Sequence, residues 1–372
     1  MFFAVLGKNS EISLAELNFV EPTNIKPIWN NIITFDSDFP DRIKQLGGVI
    51  KWGRVVDKEE MINRLSGQKT IGVNDENLGK NLKSEYGIKR YKLVKLSHTD
   101  KEVKEKGIEI IQINKEQFWI VEGYQPIYLY EVVDFEKPAR SMQMGMMPAK
   151  LTHILLNIGL SKIHRDPHPA TRITIYDPFV GSWTTGFIAN HFWYDFIGSD
   201  IDISSAEKNK PRRLAFAQFT RGKRGDLLAQ PEKKFDLFVQ DIHKKLSLNL
   251  WDSKSLNLLI VTEWRLGPII TAKSTPKDVQ SAQTQVLKLY ESFLERIAEI
   301  KQEICPPLQR GKSGGQGDFA AVCTIPYYIW HSNILEAKLN KDLSSKGLSI
   351  TSVPEIYARK DQLIWRKILI IE

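Results

Sequence analysis

Apolar and polar positions change over in short runs along the first third of the chain. Residues 2–6 form an apolar run of strand length, and Ser13-Leu-Ala-Glu16 has capping-box spacing that predicts a helix start. Residues 32–35 predict a second strand, 40–45 a helix, Gly47-Gly48 a break and 49–56 another strand. A small βαβ-type unit therefore opens the chain. A second unit follows, with a segment over 59–65, a basic helix over 77–86, a strand over 91–96 and a charged helix ending at Lys106. Residues 108–113 and 117–121 then predict a hairpin turning at Asn114-Lys-Glu.

The pattern changes between Asp134 and Pro148, a stretch with two prolines and four methionines. Pro148 suits the first turn of a helix whose apolar residues Leu151, Ile154, Leu155 and Ile158 share one face. A domain boundary near Lys137 divides the chain into 1–137 and 138–372. Beyond it, residues 173–176, 195–198, 235–239 and 256–261 read as buried strands of a parallel sheet. Helical stretches between most of them make a doubly wound α/β domain the natural assembly.

Candidate chemistry gathers at the ends of those strands. The first runs into DPFVGSWTTG over 177–186, an acid followed by a turn of small residues. Such a turn lets backbone approach a nucleotide-like ligand, and the strand-end acid accepts hydrogen bonds. The second strand ends in Asp200, 19 residues after Gly181, where an acid binds a ribose hydroxyl pair. The third ends in Val239-Gln240-Asp241 and the fourth in Thr262-Glu263-Trp264-Arg265. Ligands of open α/β sheets bind outside the carboxyl ends of strands, so Asp177, Asp200, Asp241 and Glu263 are expected to converge. The plainer alternative is that these acids cap helices.

Charge adds a partner class. Lys and Arg exceed Asp and Glu by 52 to 44, and residues 205–234 hold nine basic side chains, Lys208, Lys210, Arg212, Arg213 and Arg221 to Arg224 among them, against three acids. That patch favours phosphate-rich partners, although a solvated surface has similar composition. Two cysteines, Cys305 and Cys323, without a CxxC pair exclude a disulfide scaffold and a cysteine zinc module. The apolar stretch at the N-terminus is too short for a signal-peptide core, and no run reaches a membrane span, so a cytoplasmic location is expected. Gly311-Lys312-Ser313 resembles the end of a phosphate loop, but Pro306 replaces its first glycine and a helix-to-strand loop is the better reading. His164 to His168 reads as a polar linker with no second ligand cluster, so no metal is expected.

DPFVGSWTTG resembles the first motif of class I S-adenosylmethionine-dependent methyltransferases, in the branch that modifies exocyclic amines of nucleic-acid bases. The segment from Pro138 to Leu151 resembles one preceding that motif in a narrower group, relatives of the tRNA guanosine-10 N2-methyltransferase that carry an N-terminal THUMP module. LGKNSEISLAEL near the start and Tyr357-Ala-Arg-Lys-Asp361-Gln362-Leu-Ile-Trp365-Arg366 near the end are similar to that group too. The resemblance implies a Rossmann-like, doubly wound methyltransferase domain over 138–372 and an α/β, ferredoxin-like or THUMP-like RNA-binding region over 1–137. It implies S-adenosylmethionine as cofactor, tRNA or another structured RNA as partner, and methyl transfer to guanine N2. The implied cofactor residues are Asp177, Pro178, Gly181, Ser182, Trp183, Thr184, Asp200 and Asp241; the implied catalytic residues are Thr262, Glu263 and Arg265. The competing readings are a catalytically impaired methyltransferase-like RNA-binding protein and a DNA amino-methyltransferase.

The chain departs from that group in two places. Thr262-Glu263-Trp264-Arg265 keeps an acid but lacks the prolines, and Arg265 stands where an aromatic ring would stack on the base; a guanidinium plane also stacks. Trp183 stands where the group has glycine, and Trp193, Trp365, Trp119 and Trp264 also fall where glycine is frequent. Nine tryptophans in 372 residues fit this pattern. A UGA codon decoded as glycine in the cell, but translated as tryptophan, would produce it.

Overall fold

The computed structural model describes residues 1–29, 31–114, 117–139, 146–163, 173–209, 235–245, 257–263, 267–268, 270–271, 273–305, 318–328, 346–358 and 363–372. The chain divides into two compact units, Met1–Ile127 and Tyr128–Glu372, with Lys137 inside the second.

The first unit opens with β1 (Phe2–Leu6), α1 (Ser10–Leu17), β2 (Thr23–Trp29), β3 (Ile32–Asp36), α2 (Pro40–Ile43) and β4 (Val49–Val56). Their order in the sheet is β2-β3-β1-β4, with every pair antiparallel. This is the ferredoxin-like βαββαβ arrangement rather than a simple βαβ unit. Among these four strands the one absent from the sequence reading is β2, whose seven residues are all exposed. An edge strand that tolerates Pro27 and buries nothing has no apolar alternation to detect. Ser13-Leu-Ala-Glu16 is also corrected: α1 starts earlier, after Asn9, so Ser13 lies inside the helix. Ser13 Oγ donates to the Gly48 carbonyl at 2.9 Å, and Glu16 accepts from the Gly47 and Gly48 N–H groups at 2.7 and 2.6 Å. These side chains bind the glycine break before β4 instead of capping a helix.

The same sheet continues through α3 (Lys58–Leu65), β5 (Thr70–Val73), α4 (Glu76–Tyr86), β6 (Arg90–Leu93), α5 (Lys101–Lys106), β7 (Ile108–Gln112) and β8 (Phe118–Tyr124). Its full order is β2-β3-β1-β4-β8-β7-β5-β6. Asp57, Asp75 and Asp100 cap α3, α4 and α5 by accepting backbone N–H groups. β7 and β8 pair antiparallel as their spacing predicts, with Lys115 and Glu116 outside the described residues. Between β4 and β7, Lys51 and Glu109 form a fully enclosed ion pair at 2.5 Å, completed by the Tyr124 hydroxyl at 2.9 Å from Glu109.

The second unit is a Rossmann-like α/β layer structure. After α6 (Ile127–Phe135) and α7 (Ala149–Leu160) come β9 (Ile173–Asp177), α8 (Thr184–His191), β10 (Asp195–Asp200), α9 (Ser204–Asn209), β11 (Phe235–Val239) and β12 (Asn257–Glu263). Helix α10 (Pro276–Ile304), β13 (Phe319–Tyr328), β14 (Ile350–Tyr357) and β15 (Ile364–Ile371) complete it. The sheet order is β11-β10-β9-β12-β13-β15-β14. β9 to β13 run parallel, while β15 is antiparallel to both β13 and β14. All of α7 except Lys150 is buried, and Gly159 lets it press on β12, since a Cβ there would meet Leu259 at 2.3 Å. Pro148 precedes α7 as its N-cap, one position earlier than its sequence suggests. The sheet order reverses direction at β9, between β10 and β12, which is the switch point where such folds bind ligands. Among the described residues no helix is long and apolar enough to cross a membrane.

Candidate functional site

Asp177 ends β9 and is buried. Its Oδ1 accepts from Thr262 Oγ1 at 2.6 Å and from the Phe179 N–H at 3.1 Å, and its Oδ2 accepts from Thr185 Oγ1 at 2.6 Å. One carboxylate thus fastens the ends of β9 and β12 to the first turn of α8. This assigns Asp177 and Thr262 a bracing geometry at the heart of the switch point. Burial pushes the Asp177 carboxyl up to about 6, against the lowering effect of the two hydroxyls and the amide. The unfolded carboxyl titrates near the ordinary value of about 3.9. Between those values the folded state holds the extra proton, so stability falls as pH rises through the window. The ionised brace costs about 3 kcal/mol by pH 7 at roughly 1.4 kcal/mol per pKa unit. Asp177→Asn is expected to remove that component. Urea unfolding of both proteins at pH 4 and pH 7 checks it, and parallel pH dependences would contradict it.

The turn that follows is held from three sides. Gly181 has φ +46, and its N–H donates to Asp200 Oδ2 at 3.0 Å; the Val180 N–H donates to the Ser199 carbonyl at 3.0 Å. Asp200 also accepts from the Asp202 N–H, and burial raises its carboxyl above the usual value. A Cβ at Gly181 would meet nothing nearer than the Phe179 carbonyl at 3.8 Å, so the backbone there is open to approach. Beneath the turn, the buried Lys137 ammonium donates to Ser182 Oγ at 3.0 Å and Thr184 Oγ1 at 2.7 Å. The buried Asn209 amide donates to the Ser182 and Ala139 carbonyls and accepts from the Ala139 N–H. Pro178 is buried in the same turn. Residues 137–139 therefore dock on the turn, which gives physical content to the Pro138 segment of the sequence resemblance.

At the end of β12, Glu263 is paired with Arg366 of β15, whose Nε donates to Oε1. The side chains are 9% and 3% exposed, so the ion pair is buried. Trp264 and Arg265 lie outside the described residues, as do the basic stretch beyond Asn209, Met142, Met144, the 164–168 histidine segment and Gly311-Lys312-Ser313. Asp241 follows β11, half-buried, and accepts from the His243 N–H at 3.0 Å. Asp177, Asp200, Asp241 and Glu263 are all placed at carboxyl ends of adjacent strands, but in different roles: Asp177 is enclosed, Asp200 supports the glycine turn, Asp241 turns the chain, and Glu263 holds an arginine.

Trp183 is fully buried, with φ +69 and ψ 24. Its indole meets Phe196 edge-on at 5.0 Å between ring centroids. The same indole lies where a Cβ on Gly186 would be, 2.4 Å from its Nε1. It packs between Gly186 of α8 and Phe196 of β10, and its N–H finds no acceptor among the described residues.

Lys137, Asn209 and Arg366 are the site residues that sequence reasoning missed. Lys137 marked only the boundary, and Arg366 only the terminal motif. No group of three or more metal-ligating side chains occurs among the described residues. What remains at the switch point is an open backbone at Gly181 beside the Asp200 carboxylate, groups that can hydrogen-bond a polar ligand bearing hydroxyls.

No family model and no curated protein matches the chain. Among solved structures it is similar to the delta-N METTL16 MTase domain, with 13% identity over 65% of this chain and 90% of that one and a TM-score of 0.37. The N-terminal domain of human METTL16 in complex with SAH gives 12% identity, 71% and 88% coverage and 0.36. The rRNA methyltransferase aviRa from Streptomyces viridochromogenes gives 12%, 62% and 87%, and 0.34. These likenesses are low, and the function proposed below rests on the chain's own residues.

Proposed function

We propose that the second unit is an S-adenosylmethionine-dependent methyltransferase acting on an exocyclic base amine of RNA, with guanine N2 in tRNA as the preferred target. The observation that carries the reading is the Gly181 N–H bond to Asp200 across the ends of β9 and β10, at the switch point of a 3-2-1-4-5 sheet. The last strand, β15, is reversed and lies between β13 and β14, which differs from the 3-2-1-4-5-6 order of dinucleotide-binding sheets.

The residues fit the cofactor. Asp200 offers carboxylate oxygens to ribose hydroxyls, the open backbone at Gly181 admits close approach, and Asp241 stands at the neighbouring strand end. When bound there, S-adenosylmethionine supplies an electrophilic methyl group. Glu263 Oε2 accepts a hydrogen bond from the base amine and orients its lone pair, while Arg366 holds the carboxylate in place. The proton shed by the amine passes to Glu263 Oε2 and then to solvent. Asp177 takes no part in transfer; it holds Thr262 and α8 in register so that the two halves of the crevice stay aligned. The first unit, ferredoxin-like with an α/β extension, serves as a THUMP-like RNA-holding region, and the Lys208 to Arg224 stretch adds phosphate contacts. A base in a folded stem is turned out of its stack before transfer.

Incubation with methyl-labelled cofactor and unmodified tRNA, followed by nucleoside analysis, tests the target: label is expected in N2-methylguanosine. The pairing of Glu263 with Arg366 and of Thr262 with Asp177 favours one second reading, an RNA-binding protein without transfer activity. RNA binding without label in any nucleoside would select it.

A further inference from the structure

We propose that residues 183 and 193 are glycine in the protein as its own cell makes it, and that helix α8 is built on those two glycines. The inference rests on backbone geometry and goes beyond the cofactor reading. Positive φ in a large aromatic residue is an outlier, because Cβ crowds the following carbonyl. Here two occur, Trp183 at φ +69 and Trp193 at φ +64, and they flank the same eight-residue helix.

The C-terminal end is the clearer case. The Trp193 N–H donates to the Asn190 carbonyl at 3.2 Å, and the Tyr194 N–H donates to the Ala189 carbonyl at 3.0 Å. Those two bonds define a Schellman ending, with Trp193 at the left-handed position that glycine ordinarily fills. At the other end, the Trp183 N–H donates to the Val180 carbonyl at 2.9 Å and the Trp183 carbonyl accepts from the Phe187 N–H at 3.1 Å. Trp183 is thus the N-cap, in left-handed conformation and without a side-chain cap bond. Its indole N–H is buried without an acceptor among the described residues, a cost that glycine does not carry.

Backbone φ separates the other tryptophans, although Trp119 also buries an indole N–H without an acceptor among the described residues. Trp119 sits in β8, stacked on Phe3 at 4.9 Å between ring centroids, and Trp365 sits in β15; neither has positive φ. Trp264 lies outside the described residues. The backbone therefore narrows the substitution to 183 and 193. UGA, read as tryptophan by one genetic code and as glycine by another, accounts for both positions at once.

Two experiments test this. Peptide mass spectrometry of the protein purified from its own cells, with the gene sequence beside it, is expected to show glycine at both positions and UGA at both codons. Tryptophan in either peptide, or UGG at either codon, overturns the inference. Separately, glycine and alanine are placed in turn at 183 and at 193 in the recombinant protein. Each glycine variant is expected to melt about 2–4 °C above its alanine counterpart, since both lack the indole and only glycine is relieved at positive φ. Alanine melting as high as glycine at both positions overturns the backbone argument. Glycine found at both positions in a protein that fails to bind S-adenosylmethionine upholds this inference and removes only the cofactor reading.

Discussion

Replacing Arg366 with methionine is expected to lower the unfolding free energy by about 3–5 kcal/mol, the usual cost of stranding one member of a buried ion pair. Arg366 is 2% exposed and lies one strand beyond β13, reaching across it to the Glu263 carboxylate. Methionine keeps most of the side-chain volume, so the loss reports on charge more than on packing. The double variant Glu263→Gln with Arg366→Met is expected to regain most of the stability, because no uncompensated charge remains. Urea unfolding measures both. A loss below about 1 kcal/mol in the single variant, the range of solvent-exposed pairs, would show that water screens the pair. In a methyl-transfer assay, Glu263→Gln is expected to lower kcat with little change in cofactor affinity, as Glu263 is assigned to the base amine.

The second large effect concerns Asp200. Asp200→Ala is expected to weaken S-adenosylmethionine binding by roughly 30- to 1,000-fold, about 2–4 kcal/mol for one or two lost hydrogen bonds to a charged group. Part of the loss comes through the turn, since Asp200 Oδ2 also takes the Gly181 N–H. Asp200→Asn keeps one carbonyl oxygen and separates the contributions: it preserves either the turn or one ligand contact, and its loss is expected to be smaller. Equal affinity in the alanine variant would move the cofactor away from the end of β10.

β9, β10 and β12 were legible because parallel strands covered on both faces are continuous apolar runs, whereas β11, expected to be buried, is an edge strand with Asp236 and Val239 exposed. β9, β10, β11 and β12 all fall on segments that the pattern predicts, and each ends at or just before an acid. β2 was not legible because all of it is exposed, and β5 because four buried residues are too few to show a period. Ser13 and Glu16 misled for another reason. Capping-box spacing also suits a hydroxyl and a carboxylate one helical turn apart that reach a distant glycine pair, 35 and 32 residues away.

Within the site, residue types were readable and partnerships were not. Asp177 stood out as an acid at a strand end, but its enclosure depends on Thr262, 85 residues away. Lys137 meets Ser182 across 45 residues, and Arg366 meets Glu263 across 103. No local spacing encodes such pairs; the sheet order creates them. Trp183 and Trp193 are the opposite case. They were visible as misfits in a glycine-bearing pattern, and the positive φ at both positions supplies the physical reason.

The most direct measurement is calorimetric titration of S-adenosylmethionine into the full chain carrying Trp183→Gly and Trp193→Gly, beside the same protein with Asp200→Ala and beside the chain as written. Saturable one-to-one binding by the glycine form, weakened roughly 30-fold or more by Asp200→Ala, is the predicted result. Absence of binding by both the glycine form and the chain as written would contradict a cofactor site at the ends of β9 and β10.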